Sequence, residues 1–252
     1  MKLIKWNTDD NIEAYTVTKE FGDMSFNNPD QELILNNRKK LAEYLNTDLN
    51  HMVAPHQVHS ANFKEVSIAD GGKGIYDQES AFDNTDALYT KDANLFLLSF
   101  HADCTPVLLY SPETNIIAAI HSGWLGTTKQ IVSKVTQHLI ENEHCNPKTM
   151  LAYIGPCICK NCLEVMDNVI DLVKKMDFDT SPYYYKTDDS HYLMDNQGLN
   201  KQMLLNLGLL NTNITVSNYC TVENSDLFYS YRKYKDSARN ITIIKRKSSS
   251  KS

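Results

Sequence analysis

Cys104 and His121 lie 17 residues apart in the stretch LFLLSFHADCTPVLLYSPETNIIAAIHSGWLGTTKQ (residues 95–130), each at the polar end of an apolar run. If the two runs are neighbouring strands, a soft thiolate and an imidazole meet at their ends. Such a pair supplies two ligands of a catalytic zinc site, or equally the nucleophile and base of a Cys/His hydrolase. A third ligand is available in PHQVHSANF, where His56 and His59 stand three positions apart. In an extended segment their side chains leave opposite faces, so one of the two serves any one site.

Around these residues sit the groups that would tune or extend the chemistry. Asp103 adjoins Cys104 at a strand end, where a partner that orients a ligating histidine belongs. Asp83-Asn84-Thr85-Asp86 reads as an Asx-type turn before a strand starting at Ala87. The segment from Gly123 to Thr128 joins a strand to a helix. Its free N–H groups and helix dipole suit an anion, with Thr127 as a cap, although a plain tight turn around a buried Trp124 fits equally well. Phe228-Tyr229-Ser230-Tyr231-Arg232-Lys233 reads as a strand with one solvated face, in which Arg232 can clamp a phosphate or stack on a planar ring.

Several motif-based chemistries are excluded. The nucleoside deaminase pattern H-x-E…P-C-x-x-C fails, because Lys160 stands where the second cysteine should follow Pro156-Cys157 and no H-x-E occurs. Eight histidines without one His-x-His pair cannot hold the coppers of a multicopper oxidase. No dinucleotide fingerprint or P-loop is present, and Asp70-Gly71-Gly72-Lys73-Gly74 reads as a flexible loop. Six cysteines in a chain read as cytosolic predict reduced thiols or metal ligands. The crowded group PCICKNC is read as partly buried free thiols beside a turn, a structural zinc with Cys145 or His144 being the strained alternative.

The elements that must position these residues follow from periodicity. Helices are expected from Asn28-Pro29 with Leu33, Ile34, Leu41 and Leu45 on one face, over 127–142, over 164–176, and from Asp195 to a glycine stop at Gly208. Strands are expected at 95–100, 106–110, 116–121, 150–154, 214–217 and 241–245. Strands cluster between helices instead of alternating with them, which gives an α+β protein with a mixed sheet, or two sheets, and helices outside. No linker or repeat divides the chain, so residues 1–244 are expected to form a single domain, followed by a disordered tail, KRKSSSKS, over 245–252.

With 252 residues, 42% hydrophobic, the chain can bury a full core without staples. A net charge of −6 argues against general nucleic-acid binding. No apolar leader follows MKLIKWNTDD and no run of about 18 apolar residues occurs, which predicts a cytosolic protein without membrane contact.

In these residues the chain resembles the laccase-domain family, once labelled multicopper polyphenol oxidases and now described as purine nucleoside phosphorylases with adenosine deaminase activity. The matching blocks are QVHS (57–60), DALYT (86–90), HADCTPVLLY (101–110), AAIHSGWLGT (118–127), IGPCI (154–158), CLEV (162–165) and FYSYRK (228–233), with Asn37-Arg38 in the first helix. The resemblance implies a layered sheet sandwich and one Zn²⁺ per chain on His59, Cys104 and His121, with an open fourth position. It further implies purine nucleoside and phosphate as substrates, for which Arg232 and the segment Gly123 to Thr127 are the candidates on electrostatic grounds, with Asp103 beside Cys104. The leading alternative makes Cys104 a nucleophile with His121 as base, acting on a peptidoglycan precursor. The third reading is a partner-binding protein with a structural zinc. The chain departs from the family at Leu125, Lys233, Ala238 and Thr18-Lys19, positions where the family carries arginine or glycine, and these changes bear on phosphate affinity.

Overall fold

The computed structural model describes residues 1–248 and contains three sheets. The hairpin that carries the chemistry lies at the centre. Strand Thr105–Ser111 pairs antiparallel with Ile116–Ser122, and Asn115 takes the left-handed conformation (φ 59°) in the turn between them. Every residue of both strands is buried, as expected of strands covered on two faces. Their side chains alternate between two cores. Val107, Leu109, Ala118 and Ile120 face one cluster, while Leu108, Tyr110, Ile117 and Ala119 face another.

On either side of the hairpin lie Leu151–Ile154 and Ala87–Thr90, and the parallel edge strands Ile214–Val216 and Phe63–Glu65 complete a six-stranded sheet. A five-stranded sheet runs in the order Leu3–Lys5, Ile12–Val17, Asn240–Arg246, Phe96–His101, Met52–Val53. Between the two sheets, Ile12, Ala14, Leu97 and Ile244 meet Leu88, Leu108, Tyr110 and Ile117 in one apolar core. The outer face of the five-stranded sheet, with Phe96, Leu98, Ile241 and Ile243, is covered by Leu41 and Ala42 of the helix Gln31–Tyr44 and by Leu45 at its C-cap. The outer face of the six-stranded sheet is covered by helices Ile131–Glu141 and Asn196–Asn206. Four layers result, helix–sheet–sheet–helix, and the α+β layered architecture anticipated above is the one observed.

Element boundaries differ in instructive ways. The first helix is capped by the Asp30 carboxylate, which accepts from Leu33 N–H at 3.0 Å, two residues past Asn28, and Leu33 itself is exposed. The helix expected over 127–142 breaks at Gln130, whose φ of 59° separates a short helix, Trp124–Thr128, from Ile131–Glu141. Over 164–176, the helix is confined to Asp167–Val173. Glu164–Met166 is instead a strand, paired with His191–Met194, which also pairs with Tyr184–Lys186 in a third, three-stranded sheet. The segment 228–233 is no strand: the Ser230 hydroxyl accepts from Lys233 N–H at 3.2 Å and caps a one-turn helix, Tyr231–Tyr234. Lys245 and Arg246, expected in a disordered tail, close the last strand by pairing with Glu13 and Ile12. Lys247 N–H donates to the Asn11 carbonyl at 2.7 Å and Ser248 N–H to Asn94 Oδ1 at 3.3 Å, and the rest of that expected tail, 249–252, lies outside the described residues.

Candidate active site

The strand register brings the pair together. Pro106 is opposite His121 and Thr105 opposite Ser122, so Cys104, just before one strand, reaches His121 near the end of the other. The third side chain comes from the loop ahead of Phe63–Glu65. There His59 adopts φ 61°, a left-handed conformation that costs roughly 1–3 kcal/mol and must be held by its surroundings. His59 Nε2 lies 3.8 Å from Cys104 Sγ, and the His59 and His121 ring centroids are 4.9 Å apart. Ligand atoms of His59, Cys104 and His121 all lie within 4.8 Å of one another. His56 is not one of the three: it lines the same cleft and pairs with Asp83 at 3.0 Å. The two side chains are set apart by a turn at His59 and not by simple alternation along an extended segment.

What holds the turn is Asp86. Its buried carboxylate accepts from the N–H groups of Val58, His59 and Ser60 at 3.2, 3.0 and 2.7 Å and from the Ser60 hydroxyl at 2.7 Å. It also accepts Nδ1–H of His121 at 2.8 Å. An ionised carboxylate only accepts, so His121 carries a proton on Nδ1, and Nε2 is the nitrogen left to face the cluster. Burial works against the charge of Asp86, but the hydrogen bond and charge of His121, with Ser60, outweigh it and hold the carboxyl down at about 2. Asp86, read from sequence only as part of a turn, thus does the orienting expected of Asp103.

Asp103 faces the other way. Its carboxylate accepts from the Thr221 hydroxyl and, at 2.7 Å, from the backbone N–H of Arg232, tying the C-terminal segment to the strand end. Burial raises the Cys104 thiol and lowers His121, yet each group's charge favours the other's, and the net shift is downward for the thiol and upward for the imidazole. This is a donor set suited to a borderline-soft cation: two neutral-capable imidazoles, one readily formed thiolate, and a fourth side left open.

Gly123 is packed against the cluster: a Cβ there would stand 2.7 Å from Cys104 Sγ and 3.1 Å from His59 Cδ2. Its place at the strand–helix junction is therefore set by the space the ligating groups need. Thr127 is fully buried, and its hydroxyl is engaged with Ser122 at 2.9 Å and Asn200 at 3.0 Å, so it faces the interior and not a ligand. Trp124, by contrast, is exposed at 36%. Arg232 directs its guanidinium to the Glu164 carbonyl at 2.9 Å, away from the cluster.

The cluster lies at the floor of a cleft with about 760 Å³ of empty space, part of it open to solvent. The arginines on its wall are Arg38 and Arg239. Buried Arg38 donates to the carbonyls of Met24, Gly74 and Ile75 at 2.6–2.9 Å and lies 3.9 Å over the Phe26 ring, bracing the wall. Arg239 uses Nη1 on the Asp236 and Ala238 carbonyls, at 3.3 and 2.9 Å. Gln57 locks the loop to the strand Phe96–His101 by exchanging two hydrogen bonds with the Phe100 backbone, at 2.7 and 2.8 Å. His101, also on the wall, is kept neutral, its pKa pushed down to about 3 by burial and then by the neighbouring His121 and Arg239. Its Nε2 meets the Thr242 hydroxyl at 2.8 Å, while its buried Nδ1 has no partner among the described residues. The signal for Arg38 was present in the Asn37-Arg38 match. Asp86 opened the DALYT block and Arg239 followed the departing Ala238, but neither match by itself assigned the residue a role.

Fold and site together define a four-layer α+β enzyme with an open His–Cys–His cluster at the ends of its central strands. The chain belongs to the multi-copper polyphenol oxidoreductase laccase family, whose model matches residues 18–247. It is 35% identical over 200 residues to purine nucleoside phosphorylase YlmD of Bacillus subtilis, spanning 79% of this chain and 72% of that one. It is 30% identical over 218 residues to adenosine deaminase RL5 from an unknown prokaryotic organism, spanning 85% and 82%. The structure superposes on YfiH of Bacillus licheniformis with a TM-score of 0.95 at 30% identity over 97% of this chain and 96% of that one. For YlmD of Geobacillus stearothermophilus the TM-score is 0.91 at 30% identity, over 95% and 93%. No helix among the described residues is long and apolar enough to cross a membrane.

Proposed function

We propose that the chain is a zinc-dependent purine nucleoside phosphorylase with adenosine deaminase activity. The observation that carries this reading is the three-ligand cluster with one open side, lining a cleft that opens to solvent. The names of the relatives at 30–35% identity support it. The donor set fits zinc: Asp86 fixes the His121 tautomer so that Nε2 faces the cluster, and the Cys104 thiol is readily ionised. When bound, zinc supplies Lewis-acid polarisation and brings a water's pKa towards about 7.

In phosphorolysis, phosphate oxygen bonds to C1′ of the ribose as the bond from C1′ to the purine nitrogen breaks, giving free base and ribose 1-phosphate. In deamination, water adds at C6 of adenosine and ammonia leaves. Phe26 and Phe100 line the cleft and give a planar base an apolar wall, and Arg239 is the cation there for phosphate. Asp103 and Gly123 contribute by holding the Cys104 backbone and leaving room beside its sulfur.

The test is to incubate zinc-loaded protein with adenosine, with and without phosphate, and to resolve products by chromatography. Adenine and ribose 1-phosphate are expected only with phosphate, and inosine without it. No product above a Cys104→Ala control overturns the reading. A second reading, a Cys/His hydrolase acting through Cys104, rests on the lowered thiol and raised imidazole. It requires full activity after chelation and loss on alkylation.

A further inference from the structure

Away from the cleft floor, the loop Cys159–Cys162 meets the loop Cys220–Glu223. The thiols of Cys159, Cys162 and Cys220 and the carboxylate of Glu223 present ligand atoms that all lie within 4.8 Å of one another. We propose that these four residues form a second, structural zinc site. The spacing suits it: with zinc–sulfur bonds of about 2.3 Å, the edges of a tetrahedron are roughly 3.8 Å long. Glu223 Oε1 stands 3.7 Å from both Cys159 Sγ and Cys162 Sγ.

The backbone is folded for the purpose. Cys159-Lys160-Asn161-Cys162 is a C-x-x-C turn in which the N–H groups of Cys162 and Leu163 both donate to the Cys159 carbonyl at 3.0 Å. The Cys159 N–H donates to Cys220 Sγ at 3.3 Å, a contact that strengthens when the sulfur is a thiolate. In the second loop, Cys220 N–H donates to Asn224 Oδ1 at 3.1 Å and Asn224 N–H to the Cys220 carbonyl at 2.8 Å, a turn that carries Glu223 back towards the thiols. Cys159 and Cys162 are half-buried and Glu223 exposed, so an ion has a way in. Binding exchanges the thiol protons for the cation and needs no redox partner.

The donor count separates this site from the first. Four protein ligands close a tetrahedral ion and leave no place for substrate, whereas His59, Cys104 and His121 leave one. A closed site here joins two loops that both reach the residue beside Cys104. Thr221 donates its hydroxyl to the Asp103 carboxylate, and Ile158 N–H donates to the Asp103 carbonyl at 3.1 Å. The zinc clip would therefore hold the strand end behind the active thiolate. The sequence favoured free thiols here and offered a structural zinc with Cys145 or His144 only as the strained alternative. Cys145 is instead buried against Thr114, and it is Cys220 that the fold delivers.

The experiment is metal analysis of protein purified with reductant, as wild type, Cys104→Ala, Cys162→Ser and the double variant. About two zinc ions per chain are expected in wild type, about one in each single variant and none in the double. Cobalt loading gives an independent readout. Cys104→Ala protein should keep an intense thiolate-to-cobalt charge-transfer band typical of several sulfur ligands, and Cys162→Ser protein should keep only the weaker band of one. Wild-type protein with a single zinc that Cys162→Ser leaves in place overturns the proposal. So does a Cys159–Cys162 disulfide found by mass spectrometry in place of metal. If Cys162→Ser does not fold, absence of a multi-thiolate band in Cys104→Ala protein overturns it equally. None of these outcomes depends on nucleoside turnover.

Discussion

Asp86 grips His121 twice: its carboxylate accepts the Nδ1–H at 2.8 Å, and its backbone carbonyl accepts the His121 N–H at the same distance. The same carboxylate gathers the N–H groups of residues 58–60, so one side chain sets the positions of both imidazoles of the cluster. Asp86→Asn keeps the volume and removes the charge. Zinc affinity is expected to fall about 10–100-fold, the usual effect of losing a ligand's hydrogen-bonding partner. Competition with a chromophoric chelator measures it. Ser60→Ala, which removes one of several donors to Asp86, should cost about 1 kcal/mol of stability and little zinc. Equal zinc retention in Asp86→Asn and wild type would sink the argument.

How much of this was open to a reader of the sequence depends on the range of the interaction. The hairpin Thr105–Ser122 announced itself by two apolar runs, and its register followed from a short turn, so the meeting of Cys104 and His121 was legible. Asp86 was not. Its role depends on the loop of residues 58–60 folding onto a strand start 26–28 positions later, a long-range contact that local turn chemistry hides. Asp103 misled for the converse reason: adjacency to Cys104 in sequence sends its side chain to the opposite side, onto Thr221 and Arg232. The strands Glu164–Met166 and His191–Met194 were missed because their pairing is between segments that each look weakly periodic alone.

His59 and His56 give a paired test. His59→Ala should lose most of the zinc of the cleft and the activity with it, because its ring stands 3.8 Å from Cys104 Sγ. His56→Ala should keep the metal and lose far less, since its ring is paired with Asp83 at the cleft wall. Metal analysis beside steady-state kinetics distinguishes the two. Equal loss of metal in both variants would mean that the loop rearranges to bring both rings to the ion.

Gly123→Ala probes space rather than chemistry. The added Cβ would meet Cys104 Sγ at 2.7 Å, closer than packed atoms tolerate, and the neighbouring backbone cannot yield without moving the helix start. Zinc binding in the cleft should weaken and turnover should fall at least tenfold, while the helical circular-dichroism signal is retained. Unchanged metal affinity would show that the Cys104 side chain has another rotamer available.

Three cations that the sequence offered for phosphate are engaged elsewhere. Lys19 and Lys233 both direct their ammonium groups to Ser225, and Arg232 binds the Glu164 carbonyl, which leaves Arg239 as the arginine on the cleft wall not wholly occupied in bracing it. Arg239→Met should raise KM for phosphate about tenfold or more, with a smaller effect on phosphate-independent deamination.

Leu125→Arg tests the same idea in the opposite direction, by restoring the family's residue on the first turn after Gly123. Leu125 is half-buried on a helix of five residues, so a long side chain can leave it for solvent or swing towards the cleft without displacing core atoms. Zinc content should stay as in wild type, because no ligand or ligand-orienting hydrogen bond involves this position. If the present leucine has weakened anion binding, the substitution should lower the phosphate concentration needed for half-maximal phosphorolysis and steepen its dependence on ionic strength. Phosphate titrations at low and high salt, run beside Arg239→Met, separate a new cationic contact from a change in the fold. An unchanged half-saturation point in Leu125→Arg would confine phosphate binding to the Arg239 side of the cleft.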